Sequence, residues 1–133
     1  MQSYAIIDES RFPIVKVDFT GKKSSDGNFQ AYLDETKACY RFGKRLAIIF
    51  DASNATIPSF AHQKMQANWL KENKELMQRF CAGTAYIIPN AGIRAILKMT
   101  FSLQKQPVPY QIFESEQESV AWVNSLEFGS GQG

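Results

Sequence analysis

The sequence has few of the residues that build disulfides and metal sites, and it has no long apolar run. Of its 133 residues, two are cysteine and one is histidine, so neither a disulfide framework nor a zinc site is expected. We also expect no other metal and no cofactor. The longest apolar stretch, residues 46–50, is five residues long, whereas a membrane helix needs about 18 or more. No charged and apolar leader opens the chain, so we expect a cytoplasmic protein without a membrane span.

The charges of the chain almost cancel. Lys and Arg number 15 against 13 Asp and Glu, which gives a net charge of +2. A protein that binds nucleic acid through its phosphates normally carries a dense basic patch, so no nucleic-acid partner is expected. The length suits one domain, which we place at residues 1–127, with residues 128–133 as a flexible tail.

Apolar patterning predicts five strands and four helices in the order β-β-α-β-α-β-α-β-α. The run at residues 46–50 is typical of a central strand buried on both faces. Other strands are predicted at residues 4–8, 14–19, 84–88 and 110–113. Helices are predicted from a cap at Ser25 or Asp26 to residue 42, at residues 60–81, after a cap at Asn90, and after a capping box that begins at Ser115. This alternation predicts an α/β fold with a single mixed, mostly parallel sheet.

A cluster of small polar residues follows the central strand. Ligands of α/β sheets gather at the carboxyl ends of strands, beside the next helix, and there the sequence places Asp51, Ser53, Asn54, Thr56 and Ser59. These side chains suit a cation, a phosphoryl group or a hydrogen-bonded small ligand. They also suit a loop in which Asx-type turns hold the backbone and Ser59 caps a helix. We prefer the loop interpretation because such a loop requires these residue types.

The single histidine, His62, is predicted in the first turn of the helix that follows this loop. The positive end of a helix favours a neutral imidazole, which could act there as a base or a donor. No cysteine or second histidine stands at ligand spacing from it, and no motif pairs it with Ser59. We interpret His62 as a surface histidine without chemistry, and we count it with the loop as part of a candidate partner- or ligand-binding edge.

The stretch at residues 93–109 carries more apolar side chains than one core-facing stripe requires. Met99, Phe101 and Leu103 are apolar positions there, and Arg94 and Lys98 supply interleaved charge. An exposed apolar patch of this kind serves dimerisation, partner docking or capture of an apolar ligand. A well-buried helix explains the pattern equally well, so both interpretations stay open.

The chain resembles the bacterial SpoIIAA-like family, whose members are related to the anti-sigma-factor-antagonist (STAS) domain. The likeness covers nearly the whole chain. It is seen in Ile-Asp-Glu-Ser-Arg-Phe-Pro at residues 7–13, Ala-Ile-Ile-Phe-Asp at residues 47–51, Asn-Trp-Leu at residues 68–70 and Cys-Ala-Gly at residues 81–83. The resemblance implies a SpoIIAA/STAS-like fold, a non-enzymatic signalling role and a docking surface at residues 51–62.

One departure from the family concerns phosphorylation. The antagonists carry a phosphorylated serine in an Asp-Ser-Ser-Gly-like turn, and phosphate there switches partner binding by adding nearly two negative charges. In this chain the corresponding turn reads Pro-Ser-Phe-Ala-His at residues 58–62. The resemblance therefore carries no phosphosite over to Ser59.

These observations support three hypotheses about function. The first is a non-enzymatic regulatory or interaction module that docks a protein partner, or a second copy of itself, through residues 51–62. The second is a binder of a small apolar or lipid-like ligand, held in a pocket under the helix at residues 93–103. The third, an enzyme that uses Asp51 and His62, is the weakest, because function depends on a site and no motif joins these two residues.

Overall fold

The computed structural model describes residues 2–128 of the chain. The elements, in chain order, are β1 (Ala5–Asp8), β2 (Ile14–Phe19), α1 (Asp26–Ala38), β3 (Leu46–Asp51), α2 (Phe60–Glu72), α3 (Lys74–Phe80), β4 (Cys81–Ile87), α4 (Ala91–Leu103), β5 (Tyr110–Phe113) and α5 (Glu116–Asn124). A short 3-10 helix (Cys39–Phe42) continues α1. The predicted α/β class is confirmed, with five helices instead of four. None of the helices in this range is long and apolar enough to cross a membrane.

The sheet has the strand order β1-β2-β3-β4-β5. Strands β1 and β2 form an antiparallel hairpin, and each later strand pairs in parallel with the strand before it. The predicted single sheet of mixed, mostly parallel strands is therefore confirmed. Because β2 to β5 are parallel, their carboxyl ends lie along one edge of the sheet, which the loop after β3 also borders.

Strand β3 is buried on both faces, as its apolar run predicts. Leu46, Ile48 and Phe50 point toward a large core that also contains side chains of α1, α2 and α4. Ala47 and Ile49 point toward a smaller core under α5. Because side chains alternate along a strand, Asp51 lies in register with the second set. The two faces of the sheet thus have separate cores.

The predicted helix at residues 60–81 is divided into two helices at Asn73, and it ends one residue earlier than predicted. Helix α2 ends at Asn73, whose buried side-chain Nδ2 donates to the carbonyl oxygen of Trp69 at 2.9 Å. Helix α3 follows, and Cys81 already belongs to β4, where it pairs with Leu46. Parallel pairing with the central strand therefore overrides the helical periodicity at this point. The thiol of Cys81 is buried, and the residue lies on a strand where the sequence predicted the end of a helix.

Most helix boundaries follow the predicted local signals. Ser25 Oγ accepts from the Asn28 amide at 3.1 Å, Asn90 Oδ1 from the Ile93 amide at 3.0 Å, and Ser115 Oγ from the Glu118 amide at 3.3 Å. Gly43 stops the 3-10 helix with a φ of +62°, a conformation that side chains disfavour. Of the predicted tail, residues 129–133 lie outside the described range, and Phe128 packs against the smaller core.

Candidate functional site

A partly open cavity of about 110 Å³ lies between the sheet and α4. Residues of β3 and β4 that point toward the large core form its floor, and residues of α1 and α2 line its sides. The half-buried apolar side chains of α4 cover it. Its lining includes Ile48, Phe50, Thr84, Tyr86, Ile93, Ile96, Leu97 and Phe101. The cavity lies where the ligand-binding hypothesis requires a pocket.

Aromatic rings form much of the cavity wall. The rings of Phe50 and Tyr86 stack across adjacent strands, with centroids 5.1 Å apart and planes 9° apart. Phe19 continues this row at 6.3 Å from Phe50, and Phe101 of α4 meets Tyr86 edge to face at 5.9 Å. Rings in such arrangements attract one another beyond the area that they bury.

Three of the residues that line the cavity each have a buried polar atom without a hydrogen-bond partner in the protein. These atoms are Oε1 of Gln63, Oε1 of Gln106 and the hydroxyl of Tyr40. Each of these residues is at most 6% exposed. The thiol of Cys81 is near enough to the Tyr40 hydroxyl to affect its pKa, but a thiol is a weak partner. Unpaired polar atoms are rare in protein interiors, and here all three belong to residues that line one cavity.

The cavity is electrically neutral. Its lining residues all lie in the described part of the chain, and none of them is Asp, Glu, Lys, Arg or His. Burial raises the pKa of the Tyr86, Tyr32 and Tyr40 hydroxyls above the ordinary value of 10.0. Those hydroxyls therefore stay protonated at neutral pH. The site can offer hydrogen bonds and aromatic surface, and it offers no counter-charge to an ion.

The α4 candidates from the sequence divide between the cavity and the surface. Phe101 lines the cavity, whereas Met99 and Leu103 are about half exposed. Lys98 is exposed, and Arg94 Nη1 donates to the carbonyl oxygens of Ile88 and Pro89, at 2.9 and 3.1 Å. Within α4 only Thr100 is buried. Helix α4 is therefore not well buried: one side of it covers the cavity and the other faces solvent.

The polar loop after β3 is mostly occupied with its own structure. Asp51 Oδ1 accepts from the Ser53 amide at 3.0 Å, and Ser59 Oγ caps α2 by accepting from the His62 amide at 3.2 Å. The Thr56 hydroxyl donates to the carbonyl oxygen of Lys22 at 2.9 Å. Asn54 and Ser53 are exposed. This is the arrangement of the loop interpretation, which needs no ligand.

Asp51 does not share a site with His62. Asp51 points to the second face of the sheet, where its Oδ2 lies 3.8 Å from Nζ of Lys16. Asp18 and Glu116 also contact that ammonium group, at 3.6 and 3.1 Å. Exposed pairs of this kind contribute little to stability. The group is an ion-pair cluster on the opposite face from the cavity.

The prediction that His62 is a surface residue is wrong. Its side chain is 7% exposed and stacks on Phe29, with planes 12° apart. Nδ1 lies 2.7 Å from Ser24 Oγ, and Nε2 lies 2.9 Å from Asp26 Oδ1. A neutral imidazole that donates from Nε2 to the carboxylate accepts from the serine at Nδ1.

These three residues resemble a Ser-His-Asp triad with the two ring nitrogens exchanged. The Asp26 side chain is 98% exposed, however, and none of the three residues lines the cavity. Their contacts join Ser24 and the first residue of α1 to the first turn of α2. We therefore assign His62 a structural role.

Sequence reasoning missed the cavity residues Gln63, Gln106 and Tyr40. Alternation along β3 and β4 is the signal that could have located Phe50 and Tyr86 on one face. No local pattern distinguishes Gln106 from any other loop glutamine, because its burial depends on β4 lying beside it. The predicted helix at residues 93–103 corresponds to α4, and the cavity lies under it as the ligand-binding hypothesis placed it.

Comparisons with known proteins add no assignment. No protein-family model matches the chain, and no curated protein matches it either. Within residues 2–128 no group of three or more His, Cys, Asp or Glu side chains is placed to hold a metal ion. The SpoIIAA-like resemblance therefore remains a prediction.

Proposed function

We propose that this protein binds a small apolar ligand in the cavity between α4 and the sheet. The observation that carries the proposal is the cavity itself, with its aromatic wall and uncharged lining. An engineered apolar cavity of about 150 Å³ binds benzene, so a natural cavity of similar size is a reasonable ligand site.

The size of the cavity limits the ligand. Pockets for drug-sized molecules have volumes of roughly 300–1,000 Å³, several times the 110 Å³ found here. The proposed ligand is therefore a single ring or a short branched chain. A long acyl chain would need a much larger space. Of the two ligand classes in the hypothesis, we therefore keep the small apolar ligand and drop the lipid-like one.

Helix α4 is the element that would admit the ligand. Its only buried residue is Thr100, whereas α1 and α2 each bury several side chains. Segments with few buried contacts open at the lowest free-energy cost. The Asn90 cap and the Arg94 hydrogen bonds hold the start of α4, so we expect its later turns to move more.

Filling the cavity tests this function. Ala52 lines the cavity, so Ala52→Leu should occupy part of it and abolish the rise in melting temperature that toluene gives the wild-type protein. At ten times its Kd a ligand stabilises by about 1.4 kcal/mol, or several degrees for a domain of this size. Differential scanning calorimetry with and without toluene measures the effect.

Ala47→Leu is the matched control, because Ala47 is fully buried in the smaller core on the other face. Overpacking there costs about 1–3 kcal/mol but should leave the toluene response intact. Wild-type protein that shows no response to toluene or any other one-ring probe would contradict the proposed function.

Docking of a second copy through the loop at residues 51–62 is a second candidate. It is favoured by Ile57 and Phe60, which are 59% and 57% exposed in that segment. If they form a self-association surface, sedimentation velocity will show a concentration-dependent dimer that Phe60→Asp abolishes. Ile6→Asp, at an equally exposed apolar residue on β1, is the control. A monomer at all concentrations would contradict the homodimer.

A further inference from the structure

We infer that a surface at the carboxyl edge of the sheet docks on an anionic lipid membrane. Its residues are Lys22 and Lys23 in the loop after β2, Ile57 in the loop after β3, and Phe60 and Lys64 in the first turns of α2. All five residues are exposed, and we call them the loop surface. The inference does not depend on the proposed function, because it concerns the outside of the protein and not the cavity.

The two loops of this surface are packed against each other. The Thr56 hydroxyl donates to the carbonyl oxygen of Lys22 at 2.9 Å. Gly21 has a φ of +89°, and a Cβ atom there would lie 3.0 Å from the carbonyl oxygen of Asn54. Glycine therefore permits a close approach of the two backbones. Because of these contacts, the lysines of the first loop lie beside the second loop.

Two large apolar side chains protrude from the loop surface. Ile57 and Phe60 are 59% and 57% exposed, and neither of them lines the cavity. Nζ of Lys64 lies 5.5 Å from the centroid of the Phe60 ring. Apolar side chains beside lysines are typical of proteins that lie on a membrane. There the apolar groups enter the acyl boundary, and the ammonium groups stay at the level of the phosphates.

The loop surface is basic, although the charges of the whole chain almost cancel. The chain has 13 acidic residues, but none of them lies in residues 19–25 or 52–71, which contain four lysines. Two acidic residues border these segments. Asp26 contacts His62 at 2.9 Å, and Asp51 lies toward the other face of the sheet, 3.8 Å from Nζ of Lys16. The local excess of lysine therefore suits an anionic partner.

A lipid surface fits these residues better than a second copy of the chain does. A two-fold interface through the loop surface would place its lysines opposite one another, and like charges there are unfavourable. An anionic membrane supplies the opposite charge over a wide area, and a fluid surface admits protruding side chains without a complementary shape. The protein would lie on such a membrane without crossing it.

Docking in this way would bring the cavity close to the lipid. Ala55, Thr56 and Pro58 belong to the second loop and also line the cavity. Apolar molecules concentrate in the hydrocarbon of a membrane. The loop surface would therefore place the cavity beside the phase in which a small apolar ligand dissolves.

Co-sedimentation of the full chain with lipid vesicles tests the inference. The vesicles are pure phosphatidylcholine, or phosphatidylcholine with about 30% phosphatidylserine as the anionic lipid. Each lysine near an anionic surface increases binding roughly 5-fold, so we expect roughly 100-fold stronger partitioning onto the anionic vesicles. Binding should be lost at about 1 M salt, where the screening length falls to about 3 Å. No binding, or equal binding to both kinds of vesicle, would overturn the inference.

Two triple variants with the same net charge locate the contact. Lys22→Gln, Lys23→Gln and Lys64→Gln together should reduce partitioning onto anionic vesicles roughly 100-fold. The control combines Lys37→Gln, Lys44→Gln and Lys74→Gln, which are exposed residues at the end of α1, before β3 and at the start of α3. These lie toward the opposite edge of the sheet, so the control should retain most of the binding. Equal loss in both variants would show that the net charge acts and not the loop surface.

The apolar contribution is measured separately. Phe60→Ser should weaken binding to anionic vesicles roughly 5-fold, because a half-exposed aromatic side chain no longer enters the lipid. Ile6→Ser, at an equally exposed apolar residue on β1, should bind as the wild-type protein does. A dimer in sedimentation velocity together with no vesicle binding would overturn the inference in favour of a second copy. Neither result depends on the toluene experiment, so the two proposals succeed or fail independently.

Discussion

Between pH 9 and pH 11 the free energy of unfolding of this protein is expected to fall steeply. The cause is a set of buried acidic groups that hold their protons more tightly in the folded state. Burial raises the pKa of Cys81 from 9.0 to about 11, of Cys39 from 9.0 to about 12 and of Tyr4 from 10.0 to about 12. The folded protein therefore keeps protons that the unfolded chain releases.

The sign follows from proton linkage. Below pH 9 both states hold these protons, so the groups cause no loss of stability. Above pH 9 the unfolded chain binds fewer protons than the folded one, and the free energy of unfolding decreases with pH. Each unit of pKa difference is about 1.4 kcal/mol, so Cys81 alone accounts for roughly 2–3 kcal/mol by pH 11. With Cys39 and Tyr4 the loss approaches the whole stability of a small domain, about 5–15 kcal/mol.

Urea unfolding at a series of pH values, with reductant present, measures this decline. The absorbance of tyrosinate provides a second signal, because Tyr4, Tyr32, Tyr40 and Tyr86 should ionise only as the chain unfolds. Cys81→Ala is the control, and its free energy should depend less steeply on pH between 9 and 11. Tyr110, the fifth tyrosine, is 45% exposed and is not one of these four. Tyrosinate from more than one residue before any loss of circular dichroism would therefore contradict this account.

The elements that were predicted correctly are those specified by neighbouring residues. Strand β5 has the predicted bounds, and Ser25, Asn90 and Ser115 cap helices as expected. Each of the three capping side chains accepts a hydrogen bond from a backbone amide three residues later. The strand is a short apolar run bounded by turn residues. Such signals are complete within a short window, so the sequence is enough to find them.

The elements that were missed depend on residues far apart in the chain. Asn73 ends α2 without a glycine or proline to mark the break, and Cys81 joins the sheet because Leu46 lies beside it. His62 is buried because Phe29 stacks on it and Ser24 and Asp26 contact it, all three from another segment. Gln106 becomes part of a site through Thr84 and Tyr86. No window of sequence contains both partners of these contacts.

A second large loss of unfolding free energy is expected when either of two adjacent isoleucines of β3 is replaced. Ile48 and Ile49 are 1% and 2% exposed, and they point to opposite faces of the sheet. Replacing either by alanine removes the same three carbon atoms from a packed core. We expect each variant to lose about 2–5 kcal/mol of unfolding free energy, measured by urea titration.

A ligand should distinguish the two variants. Ile48 lines the cavity and Ile49 does not, so only Ile48→Ala adds its lost volume to the proposed ligand site. Isopropylphenol, which carries three more carbon atoms than phenol, should therefore bind the enlarged cavity and restore about 1.4 kcal/mol at ten times its Kd. The same compound should leave Ile49→Ala unchanged and should bind the wild-type protein more weakly than phenol does. Equal rescue of both variants would show that the compound binds elsewhere, since a cavity on one face of a sheet cannot respond to a deletion on the other.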